Sequence, residues 1–406
     1  MASRYYARYR DNIIWAEPIN FTRIDMQEIT RADSLPHLVH VFPSFGHGGV
    51  PIRIATVINK LGKRYRHTIL ALDRNFSSQS RLDKEIDIAL HDPKIDKSRP
   101  IKSLFDIRRQ LVELHPDLLL TFNWGAVEWA LTNRISVSRP HVHFESGFGP
   151  EEADRQIARR VRMRRFALAK MHRLVVPSNT LMEIADKSWK VAHSKVLHLP
   201  NGVDCTQYNS VGDPDIIPNF VRRPDELILG TVAPLRAEKN LQRLLRVFSV
   251  IVDRYAVRLL ITGDGVERGV LETYAAELGI TDRVIFAGHV ETPEKVFPLM
   301  DVFAITSDTE QMPNTVLQAM AASRPVAAVD VGDIAANLSP ENRKMVVARE
   351  DEASFVEMLD RLLSDAPLRK SVAAANRRHV LANYSLDKMV AAYGALFDDA
   401  LKTVER

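Results

Sequence analysis

Short apolar runs alternate with amphipathic stretches of helical length along most of this chain. "HLVHVF" precedes "VPIRIATVINKLG", "HTILALD" follows, and "DLLLTF", "HVHFE" and "HRLVVPS" continue the rhythm before further helical stretches. Such alternation implies βαβ units and hence an α/β fold built on a parallel sheet. The rhythm pauses over residues 199–226, "LPNGVDCTQYNSVGDPDIIPNFVRRPDE", where Pro, Gly, Asn and Asp mark a connection. It restarts with "LILGTV", "VRLLITG", "RVIFAG", "DVFAIT" and "RPVAAVD", with helices from about 239 and from 314. Residues 350–403 read as three helices, the last, "SLDKMVAAYGALFDDALKTV", having Ser385 as its N-cap.

The pattern predicts two Rossmann-like domains, residues 1–205 and 226–384, a linker at 206–225, and a C-terminal helix at 385–406. Two open sheets joined in this way imply an interdomain cleft, with ligands at the carboxyl ends of the strands. Length agrees, because 406 residues exceed what one hydrophobic core usually serves.

A 46% hydrophobic and 26% charged composition is that of a soluble globular chain, and the net charge of +4 favours anionic ligands or surfaces without calling for nucleic acid. The single cysteine, Cys205, excludes an intramolecular disulfide and a cysteine-based zinc cluster; a reducing, cytoplasmic setting is the expectation. Acids and a proline interrupt the N-terminal "MASRYYARYRDNIIWAEPINF" before a signal-length apolar region develops, and no later run suggests a membrane span.

Five segments carry candidate chemistry. In "FPSFGHGGVP", residues 42–51, Gly48 and Gly49 let backbone N–H groups approach a ligand at a helix start; a plain tight turn is the alternative. A dinucleotide site, with Asp73 ending the next strand, is also open, although the third glycine of GxGxxG is missing. In "GTVAPLRAEKN", residues 230–240, Arg236 and Lys239 suit a diphosphate, against the alternative of a solvated loop. In "TSDTEQMPNTVLQAM", residues 306–320, Asn314 is expected to cap a helix beginning near Thr315 while Pro313 sets the approach. Glu310 then sits where it accepts hydrogen bonds from sugar hydroxyls, and Gln318, about one turn on, reaches others; an ordinary capped surface helix is the alternative.

The fourth segment, "HVHFESGFGPEE", ends a strand with His141, His143 and Glu145. Alternation puts His143 and Glu145 on one side, facing either a cleft or the core, and no third ligand follows at a metal-binding spacing. The fifth, "RQIARRVRMRRFALAKMHR", residues 155–173, carries Arg159, Arg160 and Arg164 on a basic helix that could meet anionic lipid or an anionic acceptor. The alternative is a solvated face whose dipole Glu151, Glu152 and Asp154 complement.

Together "GHGGV", "VVPSNTLMEIA", "LPNGVD", "GTVAPLRAEKN", "LLITGDG", "VIFAGHV" and "TEQMPNTVLQAMA" resemble, in order and spacing, the retaining GT-B glycosyltransferases of family 4. The resemblance covers residues 37 to 400 and implies a C-terminal domain for a nucleotide-diphosphate sugar, an N-terminal domain for the acceptor, and a last helix crossing back. It implies that Arg236 and Lys239 hold the diphosphate without a metal or other cofactor, and that Glu310 contacts the transferred sugar. The amides near Met312, Pro313, Asn314 and Thr315 complete that pocket, with Gly263 of "LLITGDG" and the Gly48–Gly49 loop. Gln318 stands where the family's second acid binds ribose, and Ser146 follows Glu145 where some members have histidine, so His143 and the Glu145–Ser146 pair are the N-domain candidates. The implied partners are a nucleotide sugar, a glycan or lipid-linked acceptor and a peripheral anionic membrane. Two further readings stay open: a nucleotide-sugar-binding protein without turnover, and a dinucleotide-dependent oxidoreductase.

Overall fold

The structure, a computed structural model, describes residues 35–95, 98–148, 150–152, 155–218 and 220–402. The N-terminal segment read above and Asp154 lie outside the described residues.

The chain divides into two compact units, one comprising Met1–Pro200 with Lys388–Arg406, the other Asn201–Asp387. In chain order the first unit holds β1 (His37–Phe42), α1 (Gly49–Leu61), β2 (Arg66–Ala71), β3 (Ile88–His91), α2 (Pro100–Leu114), β4 (Leu118–Phe122) and α3 (Val127–Thr132). It continues with β5 (His141–Phe144), α4 (Ala158–Ala167), β6 (Arg173–Val176), α5 (Asn179–Lys187) and β7 (Val196–His198). The second unit holds β8 (Leu227–Val232), α6 (Leu241–Ile251), β9 (Val257–Thr262), α7 (Arg268–Glu277), β10 (Val284–Gly288), β11 (Val302–Ile305), α8 (Asn314–Ala321) and β12 (Val326–Val329). After them come α9 (Ile334–Asn337), α10 (Pro340–Arg343), β13 (Val346–Val347), α11 (Glu352–Ser364) and α12 (Ala366–Asn383). The last helix, α13 (Leu386–Leu401), falls mostly in the first unit.

The first sheet runs β3-β2-β1-β4-β5-β6-β7 and the second β10-β9-β8-β11-β12-β13, and each named pairing is parallel. Both are doubly wound, with the strand order reversing between β1 and β4 and between β8 and β11. Such reversals open a crevice at the carboxyl ends of the strands, where ligands of these folds bind.

Burial on both faces explains why the central strands read as continuous apolar runs. In the second unit Ile228, Leu260, Phe303 and Ala328 enter one core with Val316 and Met320 of α8, while Leu229, Leu259, Ala304 and Ala327 enter another with Leu245 of α6 and Phe355 of α11. Residues 206–225 send Tyr208, Ile217 and Phe220 into the first of these cores. In the first unit Val39, Val41 and Leu119 pack with Ile107 and Trp129 on one face. On the other, the rings of Phe42, Phe122 and Phe144 stack at centroid spacings of 4.1 and 4.9 Å, and Tyr393 of α13 adds a ring at 5.5 Å. Asp398 of α13 accepts hydrogen bonds from Arg64 and Tyr65, fixing the helix at its other end. No described helix is long and apolar enough to cross a membrane.

Candidate active site

In the second unit the loops leaving β8 and β11 flank the point where the strand order reverses. The first of them ends in a single helical turn, Ala237–Lys239, and then Asn240 at φ 42°, a left-handed geometry that asparagine tolerates better than most residues. Its Oδ1 caps α6 by accepting from the Arg243 amide at 3.1 Å, and its Nδ2 donates to both oxygens of Asp308 at 3.1 and 3.0 Å. The Asp308 amide donates to Glu238 O at 2.9 Å, and the Thr306 hydroxyl donates to Asn240 O at 3.1 Å. Arg243, buried, bonds Thr306 O at 2.8 Å and pairs with Asp308 at 2.9 Å. These ties lock the two loops together.

Their consequence is a direct meeting of two residues singled out in the sequence. Lys239 Nζ lies 2.6 Å from Glu310 Oε1, and the Ser307 hydroxyl donates to that same oxygen at 2.8 Å. Gly332, at φ 58°, lets the backbone after β12 pack on this loop, because a Cβ there would stand 2.2 Å from Glu310 O. Arg236 points outward, its side chain 64% exposed and only 3.9 Å from Glu238 at its nearest approach.

The start of α8 differs from expectation. The helix begins at Asn314 with Pro313 in the capping position and no side-chain cap. Asn314 instead accepts at Oδ1 from Asn201 Nδ2 (2.9 Å), which also donates to Met312 O (3.1 Å). The first amides of a helix, here those of Asn314 and Thr315, have no acceptor within it, so this end carries partial positive charge beside the Glu310 loop. Asn314, Thr315 and Gln318 share one half-buried face of α8, while Met312 and Pro313 are buried. Gly263 serves packing: at φ 131° it lets the end of β9 close on β8, where a Cβ would lie 1.9 Å from Ala233 O.

In the first unit a cavity of about 440 Å³ opens beyond β1, β4 and β5, lined among others by Asn123, Trp124, Ser146, Phe148, Glu151 and Arg160. Asn123 Oδ1 accepts the Ser146 amide at 2.8 Å and Arg53 donates to Ser146 Oγ at 2.9 Å, so Ser146 is held at the rim. Gly48 has extended backbone, and a Cβ there would come no nearer than 3.7 Å to its first neighbour, Pro51; Gly49 is exposed as the first residue of α1. No steric demand of the fold explains glycine at 48.

His143 and Glu145 do share one side, 3.8 Å apart, and it is the core: both side chains are fully buried. The Thr121 hydroxyl lies 2.7 Å from both His141 Nε2 and His143 Nδ1, and burial, followed by the neighbouring His143, pushes His141 down to about 3. Arg164, expected on a basic outer surface, is also wholly buried. Its Nε donates to Glu145 at 3.2 Å, its other nitrogens to Glu152 at 3.3 Å, and the rings of Trp124, Trp189 and Phe148 lie 4.8, 5.0 and 5.5 Å from the guanidinium carbon. Arg160 is half-buried and bonds Glu151 and Glu152 at 2.7 and 3.1 Å; of the three arginines only Arg159 is exposed. Burial pushes Glu152 up, but the bonds from Arg164, the Ile157 amide and Arg160 outweigh it and hold its carboxyl below the ordinary value.

The structure thus brings together Lys239, Glu310, Met312, Pro313 and Asn314, with Arg236 on the adjoining loop, and withdraws His143, Glu145 and Arg164 into the first core. Asn201, Asn240, Arg243, Ser307 and Asp308 were missed as site residues. Asn240 alone had a local signal, an asparagine directly before a helical run.

Two doubly wound parallel sheets with such crevices define a GT-B architecture. Anabaena HepE in complex with UDP and glucose superposes with a TM-score of 0.76 at 14% identity, covering 90% of this chain and 100% of HepE. The pattern of the glycosyl transferases group 1 matches residues 226–365, and that of glycosyltransferase family 4 matches residues 47–207. The chain belongs to this family of group 1 glycosyltransferases. An uncharacterized glycosyltransferase of Methanocaldococcus jannaschii is 28% identical over 53% of this chain, and the match spans only 57% of that relative's length. A D-inositol 3-phosphate glycosyltransferase of Stackebrandtia nassauensis is 27% identical over 68% of this chain and 68% of its own.

Proposed function

We propose that the protein transfers a sugar from a UDP- or GDP-linked donor to a hydroxyl of a glycan or lipid-linked acceptor, with retention at the anomeric carbon, in the synthesis of a cell-surface polysaccharide or glycoconjugate. The observation that carries this reading is the Lys239–Glu310 pair beside the uncapped start of α8, at the strand-order reversal of the second sheet. Lys239, Arg236 and the α8 amides supply positive charge for a diphosphate, preorganised by the Asn240–Asp308–Arg243 ties. As the bond from the anomeric carbon to the diphosphate breaks, that charge stabilises the departing nucleotide without a metal ion. Among the described residues no hydrogen-bonding group meets Glu310 Oε2, which leaves it to accept from sugar hydroxyls and orient the ring. Gln318, about one helical turn into α8, serves the ribose.

HepE, whose structure holds UDP and glucose, supports the choice of donor class. The cavity of the first unit, with Trp124 and Ser146 on its wall, is the place for the acceptor. UDP or GDP should raise the melting temperature and NADH should not. Incubation with a panel of UDP- and GDP-sugars in the presence of a chelator should release nucleotide above a Glu310→Ala control. Stabilisation by NADH alone would refute the reading, and tight donor binding without release or transfer would favour a binding protein.

A further inference from the structure

We infer that Glu310 discriminates between the sugar-bearing donor and the free nucleoside diphosphate, by engaging Lys239 whenever no sugar is present. This rests on the donor-site reading above and adds to it a part in product release.

One cation of the crevice, Lys239, is already paired within the protein. Lys239 and Glu310 meet at 2.6 Å with side chains only 20% and 11% exposed, so solvent screens the contact incompletely. Ser307 donates to the same carboxylate oxygen, a second bond that holds the carboxylate beside Lys239, and Gly332 leaves room for the backbone of Glu310 to pack closely against the segment after β12. Arg236, by contrast, is exposed and only loosely paired, free to make the first contact with phosphate.

A diphosphate that recruits Lys239 must therefore break or share its bond to Glu310 and then lie close to the carboxylate. A nucleotide sugar offsets that repulsion, because its hydroxyls donate to the carboxylate that Lys239 gives up. A free nucleoside diphosphate has no such donors, and its terminal phosphate, with a second ionisation near pH 6, brings about one further negative charge at neutral pH. Glu310 thus penalises product more than donor. Once transfer has removed the sugar, Lys239 returns to Glu310 and the nucleotide leaves.

The test is calorimetric titration with UDP, UDP-glucose, GDP, GDP-mannose and inorganic pyrophosphate. For a carboxylate several ångströms from a phosphate at a half-shielded site, the Coulomb term corresponds to about tenfold in affinity. Glu310→Gln should tighten binding of the free diphosphate by about tenfold and leave the sugar-linked nucleotide no tighter than before. Adding Lys239→Met should abolish the gain, and salt should weaken pyrophosphate binding more steeply in Glu310→Gln than in the unaltered protein. If Lys239→Met weakens UDP or GDP binding while Glu310→Gln leaves it unchanged or weaker, the inference falls and the donor site stands. If none of the nucleotides binds either protein, both fall together.

Discussion

Among the described residues, Arg164 is the one cation that reaches Glu145 and one of two that reach Glu152, and replacing it with methionine removes both contacts. Both carboxylates have fully buried side chains. Arg160 remains on Glu152 at 3.1 Å, so that acid keeps a partner, whereas Glu145 retains, among the described residues, His143 alone, 3.8 Å away. Breaking one side of a buried pair costs about 3–5 kcal/mol, chiefly because it strands the other charge. Methionine fills most of the volume among Trp124, Trp189 and Phe148 but forfeits the cation–π attraction, about a further 1 kcal/mol. The expected loss is therefore about 4–6 kcal/mol, and adding Glu145→Gln should restore a third or more of it by removing the stranded charge. The assay is urea unfolding followed by tryptophan fluorescence. All four tryptophans of the chain precede residue 201, so the signal reports the first unit even where the two units unfold separately. A loss below about 1 kcal/mol, or a double variant no more stable than Arg164→Met, would refute the account of Arg164 as the charge that permits Glu145 to be buried.

Acid should weaken the same unit first. Burial lowers His67 to about 4 and His141 to about 3, and holds His40 well below its ordinary value, whereas the unfolded chain protonates near 6.5. Full stability is thus present above pH 6.5 and declines as pH falls toward 4, by about 1 kcal/mol per histidine between pH 7 and 5.5, measurable by the same fluorescence assay. Gln318→Glu should tighten UDP-glucose or GDP-mannose binding about fivefold, since a charged acceptor holds a ribose hydroxyl better than an amide; unchanged calorimetric affinity would remove Gln318 from the ribose. On α4, Arg159 and Arg162 are exposed near Phe166, itself half-exposed, and this smaller patch should carry the protein up with anionic but not neutral vesicles in a flotation gradient. Arg159→Glu with Arg162→Glu should cut the floated fraction at least tenfold, about 1 kcal/mol being lost per charge; flotation insensitive to both salt and these changes would end the membrane proposal.

What could be read from the sequence followed burial. The central strands β1, β4, β8, β9 and β11 are buried on both faces and mostly apolar, so they announced themselves as runs, and their alternation with helices was enough for two parallel sheets. Edge strands β3, β7 and β13 are short and half-exposed and left no such run. Lys239 and Glu310 each stood out within their own segments, but their 2.6 Å contact joins positions 71 residues apart and depends on β8 lying beside β11, which no local pattern encodes.

Arg164 shows the deeper limit. Among so many arginines in residues 155–173 it looks like one more solvated charge, since buried arginine is rare unless paired. Its partners lie 19 and 12 residues earlier, beyond any helical spacing, and one of them is the acid whose orientation alternation left undecided. The two ambiguities are one physical question. Glu145 can face the core because Arg164 meets it there, and Arg164 can leave solvent because two carboxylates and three aromatic rings replace its hydration. Neither placement is stable without the other, so reading either residue alone leads outward, and only the pair leads in.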